Sequence, residues 1–109
     1  MITVEEFDKV EVRVGTVVSA RINKKARKSA YVVAIDFGEE LGVRTSSAQI
    51  TDCYTPEDLV GRQVVCCVNL PPMYIGSAKS EVRILGADAA QGVVLLQPQQ
   101  PVANGDKIF

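Results

Sequence analysis

The sequence of 109 residues predicts an all-β fold: a five-stranded Greek-key barrel with a short N-terminal helix, a short helix after strand 3 and additional C-terminal strands. Three observations lead there. Valine-rich runs of strand length recur along the whole chain, and β-branched residues suit a pleated, half-buried surface. Glycine or proline separates most of these runs. Only two stretches carry helix grammar, and each is a turn or two long, which fits a small barrel of short strands.

The elements follow in order. Thr3 can cap a first helix, Glu6 three residues on completes a capping box, and Ile2 and Phe7 hold the staple positions. From Lys9 the pattern alternates, with Val10, Val12 and Val14 on one face and Lys9, Glu11 and Arg13 on the other, as in a half-buried strand. Gly15 and the pair Val17-Val18 interrupt it, as expected where a strand bulges round a small barrel, and the strand runs on to about Ile22. Tyr31 to Phe37 is apolar on both faces until Asp36, which predicts a central strand covered on each side. Val43 to Ile50 is the next strand. Thr55-Pro56-Glu57-Asp58-Leu59-Val60-Gly61 reads cap, proline, acids and terminal glycine, the grammar of a short helix. Val64 to Leu70, Val82 to Leu85 and Gly92 to Pro98 are further strands. The first of these must stop at Leu70, because the double proline Pro71-Pro72 has no N–H to donate. Ala87 to Gln91 and Gln97 to Pro101 read as linkers. Asn104-Gly105 signals a turn, and a chain ending on Ile108-Phe109 is expected to be tied down on the barrel or in an interface.

A chain of this length is near the modal domain size, so one domain over residues 1–109 is expected, burying roughly two thirds of its unfolded surface. No apolar run approaches the ~18 residues that span a bilayer, and the first eight residues are acidic where a signal peptide is basic. A cytoplasmic protein without membrane insertion is expected. Cys53, Cys66 and Cys67 are an odd number, and the adjacent pair alternates across a buried strand, where it can neither bridge nor share a metal. They read as small core residues of a reduced compartment.

Chemistry narrows further. There is no histidine, hence no histidine-based triad and no imidazole ligand. The carboxylates are scattered beside turns, and neither a phosphate loop nor a dinucleotide fingerprint occurs. The expected protein is not an enzyme and carries no cofactor or metal. Net charge is −1, which argues against nucleic-acid binding over the whole surface. Residues 21–28 are nonetheless +5, leaving −6 for the remainder. This basic run lies between the first two strands, in a loop through which the barrel known as the OB-fold contacts oligonucleotides. Lys24, Lys25, Arg27 and Lys28 are its candidate phosphate contacts. Tyr31 either offers a ring on which a base stacks or is a core ring with its hydroxyl at the surface. If Arg44 and Ser46 share an exposed strand face, they suit phosphate and sugar; serines there also permit close strand packing. Asn69, Ser80 and Glu81 gather at the rim beyond the double proline.

Lys9-Val10-Glu11-Val12-Arg13-Val14-Gly15, Ala26 to Tyr31, Ile35 to Gly38, Ser46 to Thr51, Asn69 to Pro72, Ser80 to Val82 and Leu95 to Pro98 follow one another in an order that resembles the tRNA-binding domain of CsaA-like export chaperones and of the C-terminus of some methionyl-tRNA synthetases. Ser46-Ser47-Ala48-Gln49 and the Asn104-Gly105 ending are most similar to the stand-alone CsaA-like branch. The resemblance implies an OB-fold homodimer that binds tRNA and acts as a secretion chaperone for unfolded export preproteins, with the translocase motor SecA as a further candidate partner; the alternative is a structure-specific tRNA-binding protein without chaperone activity. The implied nucleic-acid contacts are Lys24, Lys25, Arg27, Lys28, Arg44, Ser46, Ser47, Asn69 and Ser80. One departure stands out. Met73-Tyr74 follows the double proline where the family commonly places a basic residue, which takes charge from the rim and adds apolar surface. Met73, Tyr74 and Ile75 are therefore candidate peptide contacts. Ile2, Val4, Phe7, Ile108 and Phe109 are candidates for a dimer interface.

Overall fold

A computed structural model describes residues 1–109, with elements α1 (Val4–Asp8), β1 (Val12–Ile22), β2 (Tyr31–Asp36), β3 (Val43–Ala48), α2 (Pro56–Leu59), β4 (Gln63–Cys67), β5 (Met73–Ile75), β6 (Ala78–Ser80), β7 (Arg83–Ile84), β8 (Gly86–Ala89), β9 (Gly92–Leu95) and β10 (Lys107–Ile108). The main sheet runs β3-β2-β1-β4-β7, all neighbours antiparallel. β1 organises it. Its first half, Val12 to Thr16, pairs with β4, and its second half, Thr16 to Ile22, pairs with β2 along the opposite edge. The register slips between Val17 and Ser19, and Val18 sits in the slip with its side chain outward. This is the bulge expected at the valine pair, and it bends one strand round two walls of a barrel. β10 fills the vacant edge beside Val12 and Arg13.

The sheet then nearly closes on itself, as an OB-fold barrel does. Glu81 N and Val82 N both donate to Thr45 O, at 2.8 and 3.3 Å, and Thr45 Oγ1 donates to Lys79 O at 2.6 Å. Ser47 N donates to Ser80 Oγ at 3.0 Å. Phe37, Ile35, Leu59, Val14, Val17, Val33, Val64 and Cys66 fill the interior with almost no exposed surface. Gly15 makes room for two of them: a Cβ there would lie 2.5 Å from Ile35 Cγ2 and 2.8 Å from Phe37 Cδ1.

Both helices follow their capping grammar. Thr3 and Glu6, and Thr55 and Asp58, form reciprocal capping boxes, and Leu59 anchors α2 in the core. α1 buries none of its residues, so the staple positions Ile2 and Phe7 lie outside the core. No helix is long and apolar enough to cross a membrane.

Four expectations need correction. β1 begins at Val12 rather than Lys9, because α1 continues to Asp8 and Lys9 caps it. Arg13, read as solvent-facing, is 5% exposed. The C-terminal tail folds over it: Arg13 Nη1 donates to Gly105 O at 2.9 Å, and Nη2 pairs with Glu11 at 2.6 Å and Glu40 at 3.5 Å. Ala87 to Gln91 is not a linker; most of it is β8, which forms a hairpin with β9. The loop after the double proline is likewise a hairpin, β5 with β6, turning at Gly76-Ser77.

The tail is held as its apolar ending suggested, though by backbone and polar groups. Gly105 N donates to Val14 O, Val14 N to Asp106 O, and Gln63 and Val102 exchange two bonds of 2.7 and 3.0 Å. The Ile108 and Phe109 side chains remain exposed.

All three cysteines are free, and Cys66 and Cys67 are buried. Burial pushes the Cys66 thiol from its ordinary 9.0 up to about 12, with a smaller push from Cys67. The folded chain thus keeps a proton that the unfolded chain releases above 9.0, so stability is full below that pH and falls as pH rises through the window to about 12. The expected slope is about 1.4 kcal/mol per pH unit for this one group. Urea unfolding of the parent and of Cys66→Ala at several pH values checks it. The variant is less stable near neutrality but its loss above 9.0 is shallower; parallel curves for the two proteins would refute the assignment.

Candidate nucleic-acid interface

The loop from Asn23 to Ala30 joins β1 to β2 and is built on one side chain. Asn23 is 5% exposed; its N–H donates to Ala30 O at 2.9 Å and its carbonyl accepts from Ala26 N at 3.3 Å. Its side-chain Nδ2 donates to Ser47 Oγ at 3.0 Å and to Ile75 O at 2.9 Å, reaching β3 and β5 together. Gly76, at φ +64°, lets the β5–β6 turn press on the same loop, since a Cβ there would lie 2.8 Å from the Lys25 carbonyl carbon. The signal for Asn23 was present as an asparagine directly after a strand, a residue that staples turns, but its neighbours' charge drew attention past it.

This frame displays Lys24, Lys25, Arg27 and Lys28, all exposed. Both ion pairs of the chain belong to Arg13, so none of these cations is neutralised by a carboxylate. The backbone N–H groups of Lys24, Lys25, Arg27, Lys28 and Ser29 also meet no acceptor within the chain. A loop presenting unpaired cations and free amide donors suits phosphate oxygens. Tyr31 resolves to its core alternative: it is 8% exposed and its hydroxyl donates to Tyr54 O at 2.7 Å.

On β3, Arg44 and Ser46 do share a face, but it turns inward. Ser46 is 2% exposed, while Arg44 is half-buried and donates to Leu41 O and weakly to Val68 O, at 3.3 and 3.5 Å. The physical reason is barrel curvature, which turns this face of β3, like the paired Val33 and Ile35 of β2, toward the core. Ser47 and Ser80 come together beside Asn23, as described. Asn69 does not join them. Its Oδ1 accepts from Glu11 N at 2.9 Å and its Nδ2 donates to Lys9 O at 2.6 Å, so the whole amide is spent latching the segment after α1 to the end of β4.

Beside the loop lies a cleft of about 870 Å³. Ser46 and Ser47 line it from β3, Ser80 and Glu81 from the closure, and Met73 and Ile75 from β5. Strand alternation sends Tyr74 to the other face of β5, where it is 73% exposed. No set of three or more histidine, cysteine or acidic side chains is placed to hold a metal.

A barrel with an unpaired basic loop narrows the family, and residues 12–107 match the family model described as a putative tRNA binding domain. The chain belongs to that family. It is 37% identical over 106 residues to the methionine–tRNA ligase of Methanococcoides burtonii, covering 96% of this chain but only 15% of that ligase's length. Curated ligase relatives thus match in one small part, the tRNA-binding domain. Among solved structures, the CsaA chaperone of Picrophilus torridus superposes with a TM-score of 0.95 at 41% identity over the full length of both chains. The CsaA chaperone of Bacillus anthracis does so with a TM-score of 0.92 at 49% identity, covering 100% of this chain and 99% of that one. The resemblance read from seven ordered motifs is therefore borne out at the level of family, fold and structural neighbours.

Proposed function

We propose that this tRNA-binding-domain protein is a non-catalytic cytoplasmic module that grips tRNA through its basic loop and acts as a CsaA-like secretion chaperone, holding unfolded export preproteins in the adjoining cleft. The observation that carries the RNA part is the unneutralised loop. Lys24, Lys25, Arg27 and Lys28 supply charge, the free amides supply directed donors, and Ser47 and Ser80 lie along the neighbouring wall, while Arg44 is turned inward onto Leu41 O and Val68 O and adds only charge to this reading. Ser46 is too buried for a direct contact and Asn69 is already engaged, so both act as framework in this reading.

The chaperone part rests on Met73-Tyr74. Met73, 61% exposed, lines a cleft with ten apolar lining residues, Tyr74, 73% exposed, adds apolar surface on the opposite face of β5, and a flexible thioether adapts to varied apolar partners. Export substrates and the translocase motor SecA are the partners this reading names. A tRNA-binding protein without chaperone activity is the alternative, separated by the second experiment below.

A homodimer suits both roles, because doubled sites gain avidity. The exposed apolar side chains of Ile2, Val4, Phe7, Ile108 and Phe109 are the surface offered for it.

Four phosphate contacts give an expected slope of about −3 for log affinity against log salt. Fluorescence titration of tRNA at several salt concentrations reads it directly. Reversing Lys24, Lys25, Arg27 and Lys28 to Glu should abolish binding, and retained affinity would sink the RNA reading. Serines at Met73 and Tyr74 should weaken suppression of client aggregation while leaving tRNA affinity in place; unchanged suppression favours the RNA-only alternative. Light scattering at micromolar concentration should give twice the chain mass, and a monomer mass would reject the dimer.

A further inference from the structure

The basic loop borders a second, open cavity of about 390 Å³, whose lining shares no residue with the cleft. Its lining divides by chemistry. Lys24, Arg27 and Ser29 bring cations and a hydroxyl, whereas Ile22, Ala26 and Tyr31 bring apolar surface, and Thr51 completes the lining. Neither cation is paired, and the amides of Lys24, Arg27 and Ser29 are free donors. The cavity is also held open: Asn23 fixes the loop through four hydrogen bonds, and the Gly76 turn supports it from behind.

A lining that combines cations, free amides and apolar side chains offers a partner to each half of a nucleotide. Resting on the RNA-binding reading above, we propose that this cavity receives one unpaired nucleotide of the RNA, with its phosphate on Lys24, Arg27 and the free amides and its base against the apolar side chains of Ile22 and Ala26. A base inside a helix cannot enter it. Paired bases are stacked and only their edges and backbone are accessible, while nucleotides in loops and overhangs can splay outward. The loop cations alone bind any polyanion, so discrimination between paired and unpaired RNA is the property this cavity adds.

The test compares two labelled RNAs with equal numbers of phosphates, a blunt-ended duplex and a hairpin with a single-stranded 3′ overhang, by fluorescence anisotropy at moderate salt. The parent protein should prefer the overhang RNA by on the order of tenfold, as expected for one base face buried against apolar side chains. Thr51→Trp, which fills the cavity from one side, should bring that ratio close to unity, with the melting temperature read alongside. Ala26→Phe fills it from the loop side and keeps the test alive should Thr51→Trp unfold the protein. Equal affinity of the parent for the two RNAs overturns the cavity assignment and leaves the RNA-binding reading standing. A preference that persists in the folded filling variants also overturns it. Failure of both RNAs to bind the parent removes the RNA-binding reading itself, and the assignment with it.

Discussion

The closure at Thr45 is the constraint on which the rest of the structure depends. A five-stranded sheet leaves two edges, and buried backbone groups without partners cost about 1–3 kcal/mol each. Thr45 satisfies the closing edge almost alone: its carbonyl accepts from Glu81 and Val82, its hydroxyl donates to Lys79 O at 2.6 Å, and its amide donates to Glu81 Oε1 at 3.4 Å. With that seam made, Ser80 falls opposite Ser47, the β5–β6 hairpin is carried against the basic loop, and the cleft is left where the two hairpins diverge.

β1 makes the closure possible. It must serve β4 with one half and β2 with the other, which needs a bend and a place for Phe37 inside it. The register slip at Val17 to Ser19 supplies the bend, and the missing side chain at Gly15 supplies the space. The bend was legible in the sequence, as were the caps of the two helices, because each depends on residues within a few positions of one another; the space at Gly15 is set by distant Phe37, and the strand read as running to Leu70 ends at Cys67, before the double proline is reached. Arg13 was not legible either. Alternation assigned it to the solvent face correctly for a two-layer sheet, and only the return of the tail over that face, ninety residues later in the chain, buries it.

The candidate site was legible in part for the same reason. A run of five cations without an acid is a local fact, and its position between two strands is a nearly local one. What its neighbours do depends on distant pairing. Asn69 carries a binding residue's chemistry, yet the segment after α1 comes to lie beside it, and Lys9 O and Glu11 N take both ends of its amide. Ser46 sits in a strand of small hydroxyl residues, yet the barrel turns its face inward. The segment Ala87-Asp88-Ala89 has little strand propensity of its own and becomes β8 only because Gly92 to Leu95 is available to pair with it, a case of tertiary context overriding local preference.

Charge and apolar surface meet in a single strand. The molecule is nearly neutral overall, so the basic loop acts over short range: beyond a Debye length of about 8 Å its field is screened at physiological salt. The cleft needs no such field. Ile75 belongs to both, since its side chain lines the cleft and its carbonyl accepts from Asn23 Nδ2, the bond that holds the basic loop to β5. A displacement of β5 large enough to break that 2.9 Å bond leaves a buried amide donor without its partner, at a cost of about 1–3 kcal/mol. This cost makes the loop and the cleft one mechanical unit, and because thermodynamic coupling is reciprocal, a ligand that shifts β5 and a ligand that orders the loop act on each other by the same factor.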